Sequence, residues 1–135
     1  MQKQTLETKL LKRVARKRSN VFLLADFKDL ADYDQVGRGL RKLIRKGRLI
    51  KIGVGLYVRA GASPFDGKPA PVKGLRSLTV EALGRLGVET KPTQLERAYN
   101  AGQTTQIPAG RVVAVTKRVR RKIGFDGNYV RFERA

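Results

Sequence analysis

The sequence predicts an α+β chain in two parts, on three observations. Within residues 34–59 a short amphipathic helix studded with Arg stops at Gly47 and gives way to an alternating strand, a Gly turn and a second strand. A stretch rich in Pro and Gly over 61–72 separates this from a second segment with its own apolar helix stripe and strand runs. Thirty Lys and Arg stand against eleven Asp and Glu, a formal charge of +19 over 135 residues. A basic helix followed by a β-hairpin is the pattern of a winged helix-turn-helix, whose helix enters the major groove while the hairpin, or wing, lies on the backbone. The expected organisation is a winged helix-turn-helix over 1–60, a linker over 61–72, and a small domain of one helix and antiparallel strands over 73–135.

Residues 5–18 read as the first helix. Leu6, Leu10, Leu11 and Val14 share one face, Thr5 is the N-cap, and Lys9, Lys12, Arg13, Arg16 and Lys17 fill the remainder as a solvated face. Ser19-Asn20 breaks the helix, and Val21-Phe22-Leu23 is expected to pair at the edge of the wing. A second short helix is expected around 25–30, with Phe27 and Leu30 inward. Asp32, with Gln35 three residues on, matches a capping box for the third helix, and Asp34 is a competing cap. That helix spans about 34–46, with Val36, Leu40, Leu43 and Ile44 as its buried stripe. Gly37 and Gly39 each lower its helicity by roughly 1 kcal/mol relative to Ala, so packing must compensate. Small residues there let another backbone come close. Gly47 stops the helix. Strands over 48–52 and 56–59 are joined by Gly53-Val54-Gly55, whose flanking glycines are expected to supply positive φ.

In the second half, residues 73–86 read as a helix with Leu75, Leu78, Ala82, Leu83 and Leu86 on one stripe and Gly87 as its stop. After Pro92 the pattern reads as strands over 94–100, 111–116 and 129–133. Asp126-Gly127-Asn128 is a strong hairpin turn between 122–125 and 129–132. Both parts are basic: 16 basic and 5 acidic residues in 1–60 (+11), 14 and 6 in 61–135 (+8).

Charge of this size argues about partners, and the natural partner is a polyanion. The chain has no Cys, which excludes thiol catalysis, disulfides and zinc–thiolate sites, and no His, the commonest general base and transition-metal ligand. The expectation is a non-enzyme without cofactor or metal. No apolar run approaches the ~20 residues of a membrane span, and the N-terminal MQKQTLETK lacks the apolar core of a secretory signal. A cytoplasmic, soluble protein without membrane contact is expected. Asp26, Asp29, Asp32 and Asp34 cluster, but their spacing does not match a calcium loop. Caps and local salt bridges explain them better than the metal site of a nuclease.

The sharpest signal is the third helix. Arg38, Arg41 and Arg45, with Lys42 beside them, lie opposite the apolar stripe, and Arg donates a bidentate pair to guanine or binds phosphate. Tyr33 and Gln35 sit at the helix start, where base edges are reached; Gln35 either reads adenine or caps. Arg48, Lys51 and Arg59 are candidate phosphate ligands, and Tyr57 is a packed strand residue before it is a contact. Lys117, Arg118, Arg120, Arg121 and Lys122 form a basic run with three readings: a phosphate clamp, a solvated loop or a protein-partner site.

With those elements placed, VFLLADFKDLADYDQVGRGLRKLIRKGRLIKIGVGLYVRA resembles the N-terminal domain of the AbiEi-type antitoxins of type IV toxin–antitoxin systems. The strings ALGRLGVETKPTQLERAYNAGQTTQIPAGRVVAV and RRKIGFDGNYVRFER are similar to the second half of small regulators borne on plasmids and mobile elements. The resemblance covers roughly 5–134 and is carried mostly by DYDQVGRGLRKL and KIGVGLY. It implies a bacterial winged-helix repressor of its own operon, and neutralisation of a cognate nucleotidyltransferase-like toxin. Those antitoxins often have a larger C-terminal domain, and this chain is short there. The function expected is sequence-specific binding of double-stranded DNA, as a monomer in solution that pairs on an inverted repeat. The competing expectation is an RNA-binding or ribosome-associated protein, which nine aromatic residues serve poorly as stacking surface.

Overall fold

The computed structural model describes residues 5–106 and 110–135; Met1–Gln4, the start of the stretch read as lacking a signal, lie outside them. The chain is mixed α+β and divides into two units, Met1–Val72 and Lys73–Ala135.

In the first unit, helix α1 (Leu6–Arg16) starts where the Thr5 side chain accepts from the Thr8 N–H at 3.2 Å. It buries Leu10 and Val14. Strand β1 (Val21–Leu23) follows. The expected second helix is reduced to a four-residue 3-10 turn, Leu24–Phe27. The Asp26 carboxylate accepts the Leu23 N–H at 2.9 Å and closes the turn locally. Phe27 is fully buried and Leu30 half-buried. Helix α2 (Tyr33–Arg45) is capped by Asp32, which accepts from the Gln35 N–H at 2.9 Å. Asp32, rather than Asp34, is therefore the cap.

Helix α2 buries Val36, Gly39, Leu40 and Leu43. At Gly39 α1 packs close on α2: a Cβ there would sit 2.5 Å from Leu10 Cδ1. The glycine thus lowers helix propensity and raises packing, and packing wins. The core joins Leu10, Val14, Phe22, Phe27, Val36, Leu40, Leu43, Leu49 and Tyr57. The Phe22 and Phe27 rings lie 6.2 Å apart, tilted by 37°. Each large side chain withdrawn here contributes about 1.5–3 kcal/mol.

Strands β2 (Leu49–Gly53) and β3 (Leu56–Ala62) form the expected hairpin. Its turn is narrower than the triplet Gly53-Val54-Gly55. Gly55 alone takes positive φ (69°), while Gly53 belongs to an irregular step in the register, Lys51↔Tyr57 followed by Gly53↔Leu56. Strand β1 pairs antiparallel with β3 (Val21↔Val58), as expected.

Residues 61–72 are not a free linker. Gly61 and Ala62 extend β3, and β4 (Pro69–Pro71) pairs antiparallel with it, Gly61↔Ala70. The Arg59 N–H donates to Asn20 O and its carbonyl accepts from Val72 N–H, at 3.1 and 3.0 Å. Both groups of one strand residue point the same way, so β4 continues the edge that β1 begins. Val72 N–H faces β3, so by alternation Ala70 does too, and Pro69 and Pro71 place their missing N–H groups on the outer edge.

In the second unit, α3 (Leu75–Arg85) buries Leu78, Thr79, Ala82 and Leu83. Leu75 and Leu86 of the expected stripe are half-buried. Two expectations are corrected here. Residues 94–100 form a helix, α4 (Gln94–Asn100), instead of a strand. Its start is a reciprocal capping box, with Glu96 N–H to Thr93 Oγ1 and Thr93 N–H to Glu96 Oε1, both 3.1 Å. The sheet is also not purely antiparallel. Strand β5 (Thr90–Lys91) pairs antiparallel with β6 (Val112–Val115), but β6 pairs parallel with β9 (Arg131–Arg134), Val113↔Phe132.

The Asp126-Gly127 turn does form, between β7 (Gly124–Phe125) and β8 (Asn128–Tyr129). Asp126 at φ 53° and Gly127 at φ 77° give both central residues positive φ, as a type I′ turn requires. The flanking strands hold two residues each, shorter than expected. Val130 breaks the expected strand 129–133 into β8 and β9.

Candidate functional site

At about 100° per residue, Arg41, Arg45, Arg38 and Lys42 fan across roughly 100° of α2 opposite its buried stripe, with Gln35 at one margin. All five are exposed, as is Tyr33 at 75%. Tyr33, Arg38 and Arg41 form one wall of a cleft of about 260 Å³. Lys51, Val54 and Tyr57 of the β2–β3 hairpin form the other. The structure thus brings four of the expected residues, Tyr33, Arg38, Arg41 and Lys51, to one groove. Gln35 and Lys42 border a separate depression shared with Thr5 and Lys9 of the α1 side. Arg45 and Arg48 are exposed at the far end of α2 and just beyond it.

Gly37 gives the groove its depth. It offers no side chain, and Arg41 lies over it, with Nη1 3.5 Å from where a Cβ would stand. Val54, 81% exposed at the hairpin tip, was not read from the sequence as a site residue; its signal is one apolar residue held between two glycines. Asp34 also lies on the helix wall, a carboxylate at the positive end of the α2 dipole. Tyr57 is buried at 6% exposure, and burial pushes its hydroxyl up from the ordinary value, so it stays a protonated donor at neutral pH.

Most other carboxylates of the unit are engaged elsewhere, although Glu7 borders the depression that Gln35, Arg38 and Lys42 line. Arg13 grips Asp29 with two parallel bonds, Nη1–Oδ1 and Nη2–Oδ2, each 2.8 Å. Lys17 Nζ lies 3.3 Å from Asp26 Oδ1, and Lys46 Nζ 2.6 Å from Glu7 Oε1. Asp32 caps α2. Among the described residues no ion pair engages Arg38, Arg41, Lys42, Arg45, Arg48 or Lys51. Asp26, Asp29 and Asp32 of the acidic cluster therefore serve as braces and cap, and two cations read as a solvated face, Arg13 of α1 and Lys17 just past its end, are the partners.

Arg59 departs from the expected phosphate role. Its guanidinium donates to the Lys17 carbonyl and lies 5.2 Å from the centroid of the buried Phe22 ring. It is half-buried and ties the end of α1 to the sheet.

The hydrogen bond from Arg13 holds the Asp29 carboxyl down at about 2, from a usual 3.8. A depressed folded-state value means the pair stabilises the unit fully above about pH 4 and that this stabilisation fades as pH falls toward 2. Carboxyl NMR titration of wild type should place the Asp29 midpoint near 2. In Arg13→Ala the midpoint should return close to 3.8; an unmoved midpoint removes Arg13 as the cause.

In the second unit, residues 117–122 have no regular secondary structure and link β6 to β7. Lys117, Arg118, Arg120, Arg121 and Lys122 are all exposed. Lys122 Nζ lies 5.9 Å above the Tyr129 ring. Arg118, Arg120 and Arg121 rim a shallow depression floored by Leu83, Leu86 and Val88. Elsewhere in this unit Arg76 bonds Glu96 Oε1 at 2.5 Å and the Val112 carbonyl at 3.2 Å.

Among the described residues no group of acidic residues could hold a metal ion, and no helix is long and apolar enough to cross a membrane. No family model matches the chain, and no curated protein or solved structure matches it.

Proposed function

We propose that this chain binds double-stranded DNA in a sequence-specific manner through a winged helix-turn-helix, as a bacterial transcriptional repressor of its own operon. Helix α2 is the recognition helix and the β2–β3 hairpin is the wing. One observation carries this reading: Arg38, Arg41, Lys42 and Arg45 stand exposed on one face of α2 with no ion pair among the described residues, and Arg38 and Arg41 face Lys51 of the hairpin across a groove. In that reading Arg38 and Arg41, with Tyr33 and Gln35, meet base edges, and Lys51, Arg45 and Arg48 hold phosphates. One such helix reads few base pairs, so two protomers pair on an inverted repeat with half-sites about 10 base pairs, or a multiple of that, apart. The antitoxin role rests on the sequence resemblance alone, and co-purification with a neighbour-encoded toxin is its test.

The deciding experiment is selection from a random duplex library, followed by competition between the selected duplex and structured RNA at fixed salt. Enrichment of an inverted repeat that RNA fails to displace supports the reading. Preference for RNA replaces it with the ribosome-associated alternative.

The basic run 117–122 is assigned to phosphate contact in the same complex. With six to ten phosphates neutralised, log affinity falls with log salt at about −0.9 per contact. Replacing Arg118, Arg120 and Arg121 together by Gln should flatten the slope by up to about 3 without changing the selected sequence. A slope equal to wild type would return the run to the solvated or protein-partner reading.

A further inference from the structure

Phe65 is 96% exposed, the most exposed large apolar side chain among the described residues. It stands in residues 63–68, which join β3 to β4. The loop is closed on itself. Ser63 N–H donates to Lys68 O at 2.8 Å and Gly67 N–H to Ser63 O at 2.9 Å. Phe65 N–H donates to Ser63 Oγ at 3.2 Å, and Lys68 N–H to Asp66 Oδ1 at 3.0 Å. One exposed apolar side chain is ordinary by itself; here the ring is held out by a hairpin braced with four hydrogen bonds.

The position of the loop gives the ring a use. The Val54 turn borders the N-terminal half of α2. The loop's returning stem starts at Pro69, whose Cγ would lie 2.8 Å from a Cβ on Gly47, just past the C-terminal end of α2. The Val54 tip therefore lies beside the first half of α2, and the stem that carries the Phe65 loop lies beside its C-terminal end. Arg45 and Lys68 make this end cationic, Lys46 being paired with Glu7, and the one carboxylate in the loop, Asp66, is turned onto Lys68 N–H. A second copy of a chain at +19 would bring like charge to like charge here. A nucleic acid brings phosphates to the cations and a stack of π-faces to the ring. Apolar wedges of this type part base steps and bend the duplex.

We propose that the 63–68 hairpin is a second nucleic-acid contact, in which the Phe65 ring wedges into a base step beyond the C-terminal end of α2 while Lys68 holds the flanking phosphate. The proposal rests on the duplex-binding reading above. The chain contains no Trp, so Phe65→Trp introduces a single indole at the tip. Titration of this variant with the selected duplex should quench indole emission in step with the anisotropy of the labelled duplex. Phe65→Ala should bind about tenfold more weakly and bend the duplex less, read by end-to-end energy transfer. Saturation by anisotropy with unchanged indole emission, or wild-type affinity and bend in Phe65→Ala, overturns the proposal. Loss of self-association in Phe65→Ala, with affinity and bend unchanged, overturns it in favour of a second copy. Flat anisotropy for wild type as well shows the failure to lie in the duplex-binding reading itself.

Discussion

Replacing Gly124 by Ala is expected to destabilise the second unit strongly. A Cβ at 124 would meet Asn128 O at 2.3 Å and Tyr129 Cα at 2.9 Å. Both are backbone atoms of the strand it pairs with, Gly124↔Tyr129. No rotamer relieves that clash; the hairpin has to open, and overpacking of this kind costs about 3 kcal/mol. A unit of this size has only about 3–9 kcal/mol in hand. Gly84→Ala is the control within the same unit. Gly84 lies inside α3 with nothing within 4 Å of a Cβ, so the substitution should stabilise by about 0.5–1 kcal/mol. Hydrogen exchange is the measurement. Val113, Ala114 and Val115 should lose protection in Gly124→Ala, while Leu40 and Leu43 of the first unit keep theirs. Wild-type protection at 113–115 would mean the hairpin yields at low cost.

Removing Arg38, Arg41 and Arg45 together is expected to abolish selective DNA binding and leave the first unit folded. The three are exposed, touch no carboxylate among the described residues and lie off the buried stripe, so the helix loses little. A base-edge contact is worth about 1–3 kcal/mol of discrimination, and each phosphate contact adds a salt-dependent share. Losing three brings affinity for the selected duplex down to that for random duplex. Arg38→Ala alone should relax preference at one base position. Retained selectivity in the triple variant, with helix content unchanged by circular dichroism, would take α2 out of the recognition role.

The first unit was legible in the sequence wherever a short-range pattern decides the structure. Val36, Leu40 and Leu43 repeat at helical spacing, Asp32 stands where a cap is needed, and Gly55 marks the turn. What escaped depends on partners distant in sequence. Nothing local distinguishes Arg59 from Lys51 as a strand cation; its inward role comes from Phe22 and the Lys17 carbonyl, about 40 positions away. Helix α4 is too short for periodicity to show, since Leu95 and Ala98 are its main apolar positions. The pair Thr93 and Glu96 is the readable sign, a capping box that outweighs Pro92 as a strand start. The parallel pairing of β6 with β9 joins segments about 19 residues apart, and a run such as Val112–Val115 fits either orientation. Of the candidate site, the α2 residues and Lys51 could be named beforehand. The groove between them could not, because its depth comes from Gly37 and its far lip from Val54.

Pro69 and Pro71 bear on how the protein behaves in company. A formal charge of +19 favours association with polyanions, and copies held side by side on one would meet at high local concentration. An unpaired strand edge then becomes a template on which one sheet grows into the next. The outer edge of β4 offers no N–H at 69 or 71, so an incoming strand finds carbonyls without donors and two rings in its way. Along these three residues, Pro69–Pro71, the edge of the sheet therefore resists extension by a strand of a second copy.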